Sequence, residues 1–252
     1  MKNIIFLSAL LLCFSAEAAK HKIILAGDTN HLDVTGKKQG LWREIEAGYE
    51  WFGLYIDGAK NGSWVNYHPG TNPQMVAKME TFINGKKNGL TIETDRNGYL
   101  IKQENYRNDS LEGTAIAFSN GGRPKSEAVY RHGKLNGIKK LYNSDNFKVQ
   151  EEGLYVNNLR EGLTKWYSSE GKISIEYNYI HGMLEGKMKT YYKNGNTETE
   201  GTYKNNELDG DYFEYYEDGK PKTTGKYLNG KKIGIWKEYD ADGKMKQTKM
   251  SK

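Results

Sequence analysis

The chain has little of two residue types that often shape small exported proteins: one cysteine and four prolines among 252 residues. Cys13 lies in an apolar N-terminal segment that we expect to be removed. Leu12 precedes it, where a lipoprotein signal has a small residue, which argues against lipid anchoring. The mature chain then has no disulfide bond, thiolate metal site or cysteine nucleophile, so its stability must come from packing or repetition.

Long apolar runs are missing after the N-terminus. Lys2 and the apolar segment Ile4–Phe14 precede small residues typical of a signal-peptidase site, and we predict cleavage between Ala18 and Ala19. The apolar segment is shorter than the about 20 residues that a membrane-spanning helix needs. We therefore predict a signal peptide at residues 1–18 and an exported protein, whether periplasmic, outer-surface or secreted.

The chain also has no long block of like charge. Its 37 basic and 32 acidic residues alternate along the sequence and leave a net charge of +5, which is not a nucleic-acid-binding signature. Glycine and tyrosine are plentiful instead, with 29 and 19 residues, and no segment has a helical period. This composition is typical of a β protein with many turns.

An aromatic anchor residue recurs at intervals of 24 to 27 residues, and a glycine stands seven residues after each anchor. The anchors are Tyr55, Phe82, Tyr106, Tyr130, Tyr155, Tyr179, Tyr203 and Tyr227. The glycines are Gly62, Gly89, Gly113, Gly137, Gly162, Gly186, Gly210 and Gly234. A weaker ninth copy lies at Gly36–Gly40. Such regularity predicts a repeat domain at residues 36–252, after a lead-in at residues 19–35.

Two turns are predicted in each repeat. Positions +2 and +3, counted from the anchor, hold residue types that tolerate positive φ, as tight hairpin turns require. They are Asp57-Gly58, Asn84-Gly85, Asn108-Asp109, His132-Gly133, Asn157-Asn158, His181-Gly182, Asn205-Asn206 and Asn229-Gly230. Positions +15 and +16 repeat the pattern at Asn97-Gly98, Glu170-Gly171, Asn194-Gly195, Asp218-Gly219 and Asp242-Gly243.

Between the turns lie segments that read as strands of about six residues. The predicted fold is all-β: an elongated, solenoid-like antiparallel meander of about nine 24-residue hairpins. We expect the glycine at +7 to end the turn or to open a bulge where a Cβ would clash. Aromatic residues occupy both +9 and +12, which point to opposite faces, so alternation leaves open which face is covered.

The segments Tyr227–Lys244 and Tyr203–Lys220 resemble the MORN repeat, in the variant found in exported and envelope proteins of bacteria. The resemblance extends over about residues 36–246. It is interrupted by the insertion Asn72–Lys78, by Thr94 in place of an aromatic residue, and by Asp145-Asn146 in place of Asn-Gly. It implies a curved β-ribbon that acts in scaffolding or membrane-proximal binding, without chemistry. Bacterial members are often labelled antitoxins.

Few residues are candidates for chemistry. His132 and His181 replace the asparagine of a repeat turn, which predicts a backbone role. No second histidine stands at ligand spacing from His68, so we predict no metal site. Glutamates recur at position −3, as Glu127, Glu152, Glu176 and Glu200, and predict charge pairing across strands instead of a catalytic carboxylate pair. We predict no catalytic residue and no cofactor.

The turn lysines at Gly36–Lys38, Gly85–Lys87 and Gly230–Lys232 are not a phosphate-binding loop, since the spacing and the following helix are missing. They are predicted to be solvated, with lipid headgroups as an alternative ligand. The repeated aromatic residues are expected to build a core, while stacking on sugars or peptides stays open. Trp51, with Tyr49 and Phe52, lies outside the regular frame.

We therefore predict a non-enzymatic repeat protein of the bacterial cell envelope or exterior, which binds a protein partner through its extended β face. Alternatives are a peripheral binder of anionic membrane, a host-directed adhesin or invasion factor, and an antitoxin-like partner of another protein. No nucleophile, base and orienting group stand in a pattern that indicates a hydrolase.

Overall fold

The computed structural model of the chain describes residues 29–250. The predicted signal peptide, its cleavage site at Ala18 and Ala19, and Cys13 lie outside the described residues. Residues 29–250 form strands, turns and bends, without a helix. All the pairings join antiparallel strands that follow each other in the chain or flank a two-residue strand. The predicted all-β meander of hairpins is confirmed.

Residues 29–98 together with 107–109 form one compact unit, called unit 1 here. Its strands are β1 (His31–Leu32), β2 (Lys38–Glu46), β3 (Tyr49–Ile56), β4 (Ala59–Tyr67), β5 (Val76–Ile83) and β6 (Lys86–Thr94). β1 lies in the predicted lead-in and pairs with β2. A buried core cluster of this unit consists of Trp51, Tyr55, Trp64 and Phe82.

Residues 99–106 and 110–250 form the second compact unit, unit 2. Its first strands are β7 (Leu100–Arg107, whose last residue belongs to unit 1), β8 (Ser110–Leu111), β9 (Gly113–Ser119), β10 (Arg123–Arg131), β11 (Lys134–Tyr142), β12 (Val149–Val156) and β13 (Leu159–Tyr167). The others are β14 (Ile173–Ile180), β15 (Met183–Tyr191), β16 (Thr197–Lys204), β17 (Glu207–Leu208), β18 (Gly210–Tyr215), β19 (Pro221–Leu228), β20 (Lys231–Tyr239) and β21 (Met245–Met250). A buried cluster of Ala128, Leu135 and Tyr155 lies on one face of the sheet.

Most full strands have eight or nine residues, longer than the predicted six. The reason is that each hairpin turn uses only two residues, so positions +1 and +4 still pair across it. Val156 pairs with Leu159, and Ile180 pairs with Met183. The prediction of strand length was too short for this reason.

The eight predicted hairpin turns have positive φ at both central residues. The φ angles lie between 47° and 51° at position +2 and between 66° and 84° at position +3. Two successive residues with these angles form a type I′ turn, whose twist matches that of the flanking strands. The turn positions predicted from Asn, Asp, His and Gly are confirmed.

Consecutive hairpins are tied together at these turns. In all eight, the backbone N–H at position +3 donates to the carbonyl at +5 of the preceding repeat, over 2.8 to 3.0 Å. In several of these turns, a side-chain oxygen at position +6 of one repeat accepts a hydrogen bond from the backbone N–H at position +2 of the following repeat. Glu161 Oε2, for example, accepts from the backbone N–H of His181 at 2.9 Å. The oxygen-bearing side chain at +6 therefore has a structural role that repeats with the hairpin.

The turns at the opposite end of the hairpins also follow the sequence pattern. Gly98, Gly171, Gly195, Gly219 and Gly243 have φ between 82° and 94°, as predicted for position +16. Two repeats have no glycine at this position: the 27-residue repeat has Thr71 there, and the 25-residue repeat has Asn146. In the 25-residue repeat, Phe147 adopts φ 58°, an uncommon angle for a bulky side chain. Its ring lies 4.3 Å from the Arg123 guanidinium.

Candidate binding surfaces

The glycines at position +7 all have positive φ, between 66° and 138°. In six hairpins the strand register shifts beside them, which marks a bulge. At Gly137 an added Cβ would lie 2.7 Å from Val129 Cβ, so this position excludes a side chain by contact as well. At Gly62 and Gly162 an added Cβ would meet nothing within 4 Å. Backbone angle alone therefore explains glycine there, and a clash does not.

Within each unit the anchor residues lie on one face of the sheet, which we call the aromatic face. Tyr155 is buried, while Tyr179, Tyr203 and Tyr227 are partly buried. Position +9 lies on the same face because Tyr227 contacts Trp236, with ring centroids 5.1 Å apart at 84°. The structure thus decides the question that alternation left open. The face with +9 is the more completely covered one, since Trp64 and Trp236 are 0% and 1% exposed.

The two most buried tryptophans lie directly on glycines of the neighbouring strand. A Cβ added at Gly53 would fall 2.2 Å from the ring of Trp64, and one added at Gly225 would fall 2.3 Å from the ring of Trp236. Both glycines stand at position −2 of the same repeat and have ordinary extended φ. Contact with the indole, not backbone angle, makes glycine necessary at these two positions.

A lysine ammonium group lies over each of these rings. Lys60 Nζ lies 4.2 Å from the Trp64 ring centroid, and Lys232 Nζ lies 4.1 Å from that of Trp236. Such cation–π contacts contribute about 0.5–2 kcal/mol, depending on how far the pair is desolvated.

In the middle of unit 2, an arginine stands at the repeat position that these lysines occupy and lies over aromatic rings in the same way. The Arg160 guanidinium lies 5.3 to 5.5 Å from the ring centroids of Tyr155, Trp166 and Tyr179. Its Nη2 donates to Glu151 Oε1 at 2.5 Å, and Trp166 Nε1 donates to Glu151 Oε2 at 3.1 Å. This cluster holds three neighbouring strands, β12 to β14, together through one cation, and its residues face one another instead of a cleft.

Trp51, outside the regular repeat frame, is also a core residue. It is 8% exposed and lies in the buried cluster with Tyr55, Trp64 and Phe82. Tyr49 is exposed. Phe52 lies on the opposite face from Trp51, with its ring centroid 6.1 Å from that of Tyr67. The three aromatic residues therefore do not form one site.

The opposite face of unit 2 carries a row of alternating charges, which we call the ladder. Directly opposed residues on seven consecutive strands, β10 to β16, form it. They are Glu127, Lys140, Glu152, Lys165, Glu176, Lys189 and Glu200. Lys140–Glu152, Lys165–Glu176 and Lys189–Glu200 have N···O distances of 3.3, 3.7 and 2.6 Å. The predicted pairing of the position −3 glutamates across strands is confirmed.

Beside the ladder, toward the hairpin turns, this ladder face exposes seven apolar side chains, which we call the apolar band. They are between 37% and 48% exposed. The members are Ile138, Leu154, Val156, Leu159, Leu163, Ile180 and Met183. A shallow depression lined by Glu127, Val129, Ile138, Lys140 and Glu152 joins the band to the ladder. Contiguous exposed apolar side chains with a polar rim are typical of a protein-binding surface.

The histidines are found in the backbone role predicted for them. His132 and His181 have φ 51°, and their Nδ1 atoms lie 3.7 and 3.6 Å from carboxylate oxygens of Glu112 and Glu161. His68 Nε2 lies 2.8 Å from the carbonyl oxygen of Thr94. Among residues 29–250, no three His, Cys, Asp or Glu side chains are grouped as a metal site would require.

Two tyrosines on the ladder face predict a stability change at high pH. Burial and then the charge and hydrogen bond of Glu127 raise the pKa of Tyr142 to about 12. Burial and then the hydrogen bond to Glu176 raise the pKa of Tyr191 to about 12. A tyrosine whose pKa is higher in the folded chain holds its proton more tightly there, which stabilises the fold. This stabilisation is fully present below pH 10, the pKa in the unfolded chain, and it is lost as the pH rises through 12.

We therefore expect the free energy of unfolding to fall between about pH 10 and pH 12. Urea denaturation at a series of pH values measures it. The double variant Tyr142→Phe/Tyr191→Phe should show a shallower fall, because phenylalanine has no proton to lose. An equal slope in both proteins would contradict the assignment.

Sequence reasoning missed the partners of the tryptophans and the apolar band. The aligned repeats do contain a signal for the partners of the tryptophans. Every tryptophan at +9 (Trp42, Trp64, Trp236) has a lysine at +5 (Lys38, Lys60, Lys232). The band was missed because its members stand at positions +1, +4, −1 and +8, which only the pairing register brings together.

The hairpin geometry agrees with the family comparison. Residues 160–181, 184–205, 208–229 and 232–252 each match the model of the MORN repeat variant. In the structure, the described residues of each matched unit form an antiparallel pair of strands. The matched residues all lie in the second half of the chain and cover less than half of it. MORN repeats are associated with binding to membranes or proteins.

Other comparisons add little. No curated protein matches the chain. A solved structure, "Crystal structure of GtfA/B complex bound to UDP and GlcNAc", matches 50% of this chain at 11% identity with a TM-score of 0.17. The match spans 22% of that protein's chain, and at this TM-score the likeness carries no argument. Within residues 29–250, no helix has the length and apolarity to cross a membrane.

Proposed function

We propose that this protein is a non-enzymatic, exported binding protein of the bacterial cell envelope or exterior, and that it holds a protein partner on the ladder face of unit 2. The observation that carries the proposal is the apolar band. Seven large apolar side chains stay more than a third exposed on five consecutive strands, although the opposite face buries Tyr155 and Trp236 and partly buries its other anchor tyrosines. A partner that covers them gains the free energy of removing apolar surface from water.

The arrangement of the carboxylates favours binding over catalysis. The ladder glutamates each face a lysine in the same cross-strand geometry. Acid–base catalysis needs two carboxylates whose surroundings differ. A row of equivalent charges supplies orientation and selectivity for a partner instead. Export rests on the signal peptide predicted at residues 1–18.

A membrane surface is the second candidate, because the hairpin turns place apolar and basic side chains together. Ile83 pairs directly with Lys86 in unit 1, and Leu228 pairs with Lys231 in unit 2. Ile83 and Leu228 are about half exposed. A turn of this kind can insert an apolar side chain while its lysine meets an anionic headgroup.

A capture experiment tests the first candidate. We expect the mature protein to retain a partner from its own envelope fraction, and the variant Leu159→Asp/Ile180→Asp to retain at least tenfold less, since both changes place charge in the band. Ile235→Asp is the matched control, because Ile235 is similarly exposed but lies outside the band. Equal capture by all three proteins would overturn the proposal.

Binding to vesicles that contain phosphatidylserine distinguishes the second candidate, a membrane surface, from the first, a protein partner. Binding that falls steeply as salt rises, and that weakens on changing Lys86 and Lys231 to glutamine, would support the membrane over the protein partner. An adhesin and an antitoxin-like partner are narrower forms of the first candidate. Confinement of the mature protein to the periplasm argues against the adhesin.

A further inference from the structure

The ladder of unit 2 is complementary to itself. We infer that a second copy of this chain packs against the ladder face, related by a two-fold axis that runs parallel to the strands and passes between β13 and β14. This inference rests on the proposed function, which places a protein on the ladder face, and it identifies that protein as a second copy of the chain. A two-fold contact uses the same surface on both copies, so the surface must match its own rotated image.

Strict alternation of charge provides the match. Rotation about this axis exchanges β13 with β14, β12 with β15 and β11 with β16. Lys165 then faces the partner's Glu176, and Glu152 faces the partner's Lys189. In the same way, Lys140 faces the partner's Glu200. All these contacts join opposite charges.

A two-fold axis that runs along the middle of a strand would instead place like charges opposite each other. If it passed along β13, Lys165 would face the partner's Lys165 and Glu152 would face the partner's Glu176. Opposed like charges at an interface cost several kcal/mol. The alternation therefore selects an axis between two strands.

The apolar band selects which two strands. Leu159, Val156, Ile180 and Met183 lie on β12 to β15, symmetrically about the boundary between β13 and β14. Rotation there places Leu159 opposite the partner's Ile180 and Val156 opposite the partner's Met183. All four are exposed in the single chain.

Moving the axis by one strand keeps one kind of apolar pair, Leu159 opposite the partner's Val156, and loses the other. With the axis between β12 and β13, Ile180 would face the partner's Lys134 and Met183 would face the partner's Arg131. Stacked sheets pack about 10 Å apart and about 30° from parallel, so the pairs nearest the axis determine the contact. The apolar pairs and the Lys165–Glu176 contacts are those pairs.

Two charge reversals and their mixture test the contact. In Lys165→Glu the introduced carboxylate would face the partner's Glu176, and in Glu176→Lys the introduced ammonium group would face the partner's Lys165. Each variant therefore opposes like charges twice. Sedimentation equilibrium should show a wild-type dimer and a dissociation constant at least tenfold higher for each variant alone. An equimolar mixture restores both opposite-charge contacts and should return the dissociation constant to near the wild-type value.

The mixture separates the interface from effects within one chain, because mixing cannot repair a destabilised fold. Lys237→Glu is the matched control: it reverses the same repeat position, +10, on the distant strand β20, and it should leave the dissociation constant unchanged. A wild-type chain that stays monomeric up to about 1 mM, or a mixture that does not recover, would overturn the inference. Loss of partner capture by the band variant with a monomeric wild type would leave the proposed function standing.

Discussion

Replacing Gly225 by alanine is expected to lower the free energy of unfolding by at least about 1–3 kcal/mol, the usual cost of overpacking. The new Cβ would lie 2.3 Å from two ring carbons of Trp236, a distance that real Cβ atoms do not adopt. Trp236 is 1% exposed, with Tyr212 and Tyr227 against its ring, so the indole has little room to move. Urea denaturation of both proteins measures the change.

Gly201 offers a matched control at the same repeat position. An added Cβ there would lie 3.3 Å from the flexible end of Leu208 and from the ring edge of Tyr212, which can move by a few tenths of an ångström. Gly201→Ala should therefore cost clearly less than Gly225→Ala. In a Trp236→Leu background the alanine at position 225 should also cost less, because the clashing ring is gone. Equal costs at the two glycines would contradict the contact argument.

Changing Arg160 to methionine should give the second large effect. The substitution leaves Glu151, whose side chain is 13% exposed, without its cation among aromatic rings. Removing one partner of a fully buried ion pair costs about 3–5 kcal/mol. Arg160 is itself a quarter exposed, so the expected loss is somewhat below that range.

A double-mutant cycle isolates the cause. Glu151→Gln in the Arg160→Met background should recover part of the lost stability, since the uncompensated charge disappears while Trp166 keeps an acceptor for its N–H. Lys226→Met is the control, because Lys226 and Asp211 form an ion pair whose side chains are 65% and 58% exposed, and it should cost less than about 1 kcal/mol, as an exposed ion pair does. Failure of Glu151→Gln to recover any stability would indicate that the ring contacts of Arg160, not its charge, support the cluster.

The fold of this protein could be predicted because its turns are specified locally. A type I′ turn needs two residues that accept positive φ, and Asn, Asp, His and Gly stand at those positions in all eight hairpins. The cross-strand charge pairing of the position −3 glutamates also followed from repetition. Both depend only on residues that are neighbours in the chain or at the next repeat.

The covered face could not be predicted, because both faces carry aromatic residues. Trp236 is buried against Gly225, whereas Tyr142 lies on the ladder face with its hydroxyl on Glu127. Which of the two faces excludes water depends on the contact between the glycine at position −2 and the aromatic residue at position +9 on the neighbouring strand. That contact becomes visible only when the register, including the bulge at +7, is known.

The strand order has a consequence for the rate of folding. In each unit the strands pair with their successors in the chain, so closing any pair orders only a short loop. Sheet proteins are usually slow folders because distant segments must meet before contacts offset the entropy of closure. Here a single hairpin can nucleate anywhere within a unit and add its neighbours one at a time. This places the chain kinetically nearer to helical repeat proteins than to β-sandwiches.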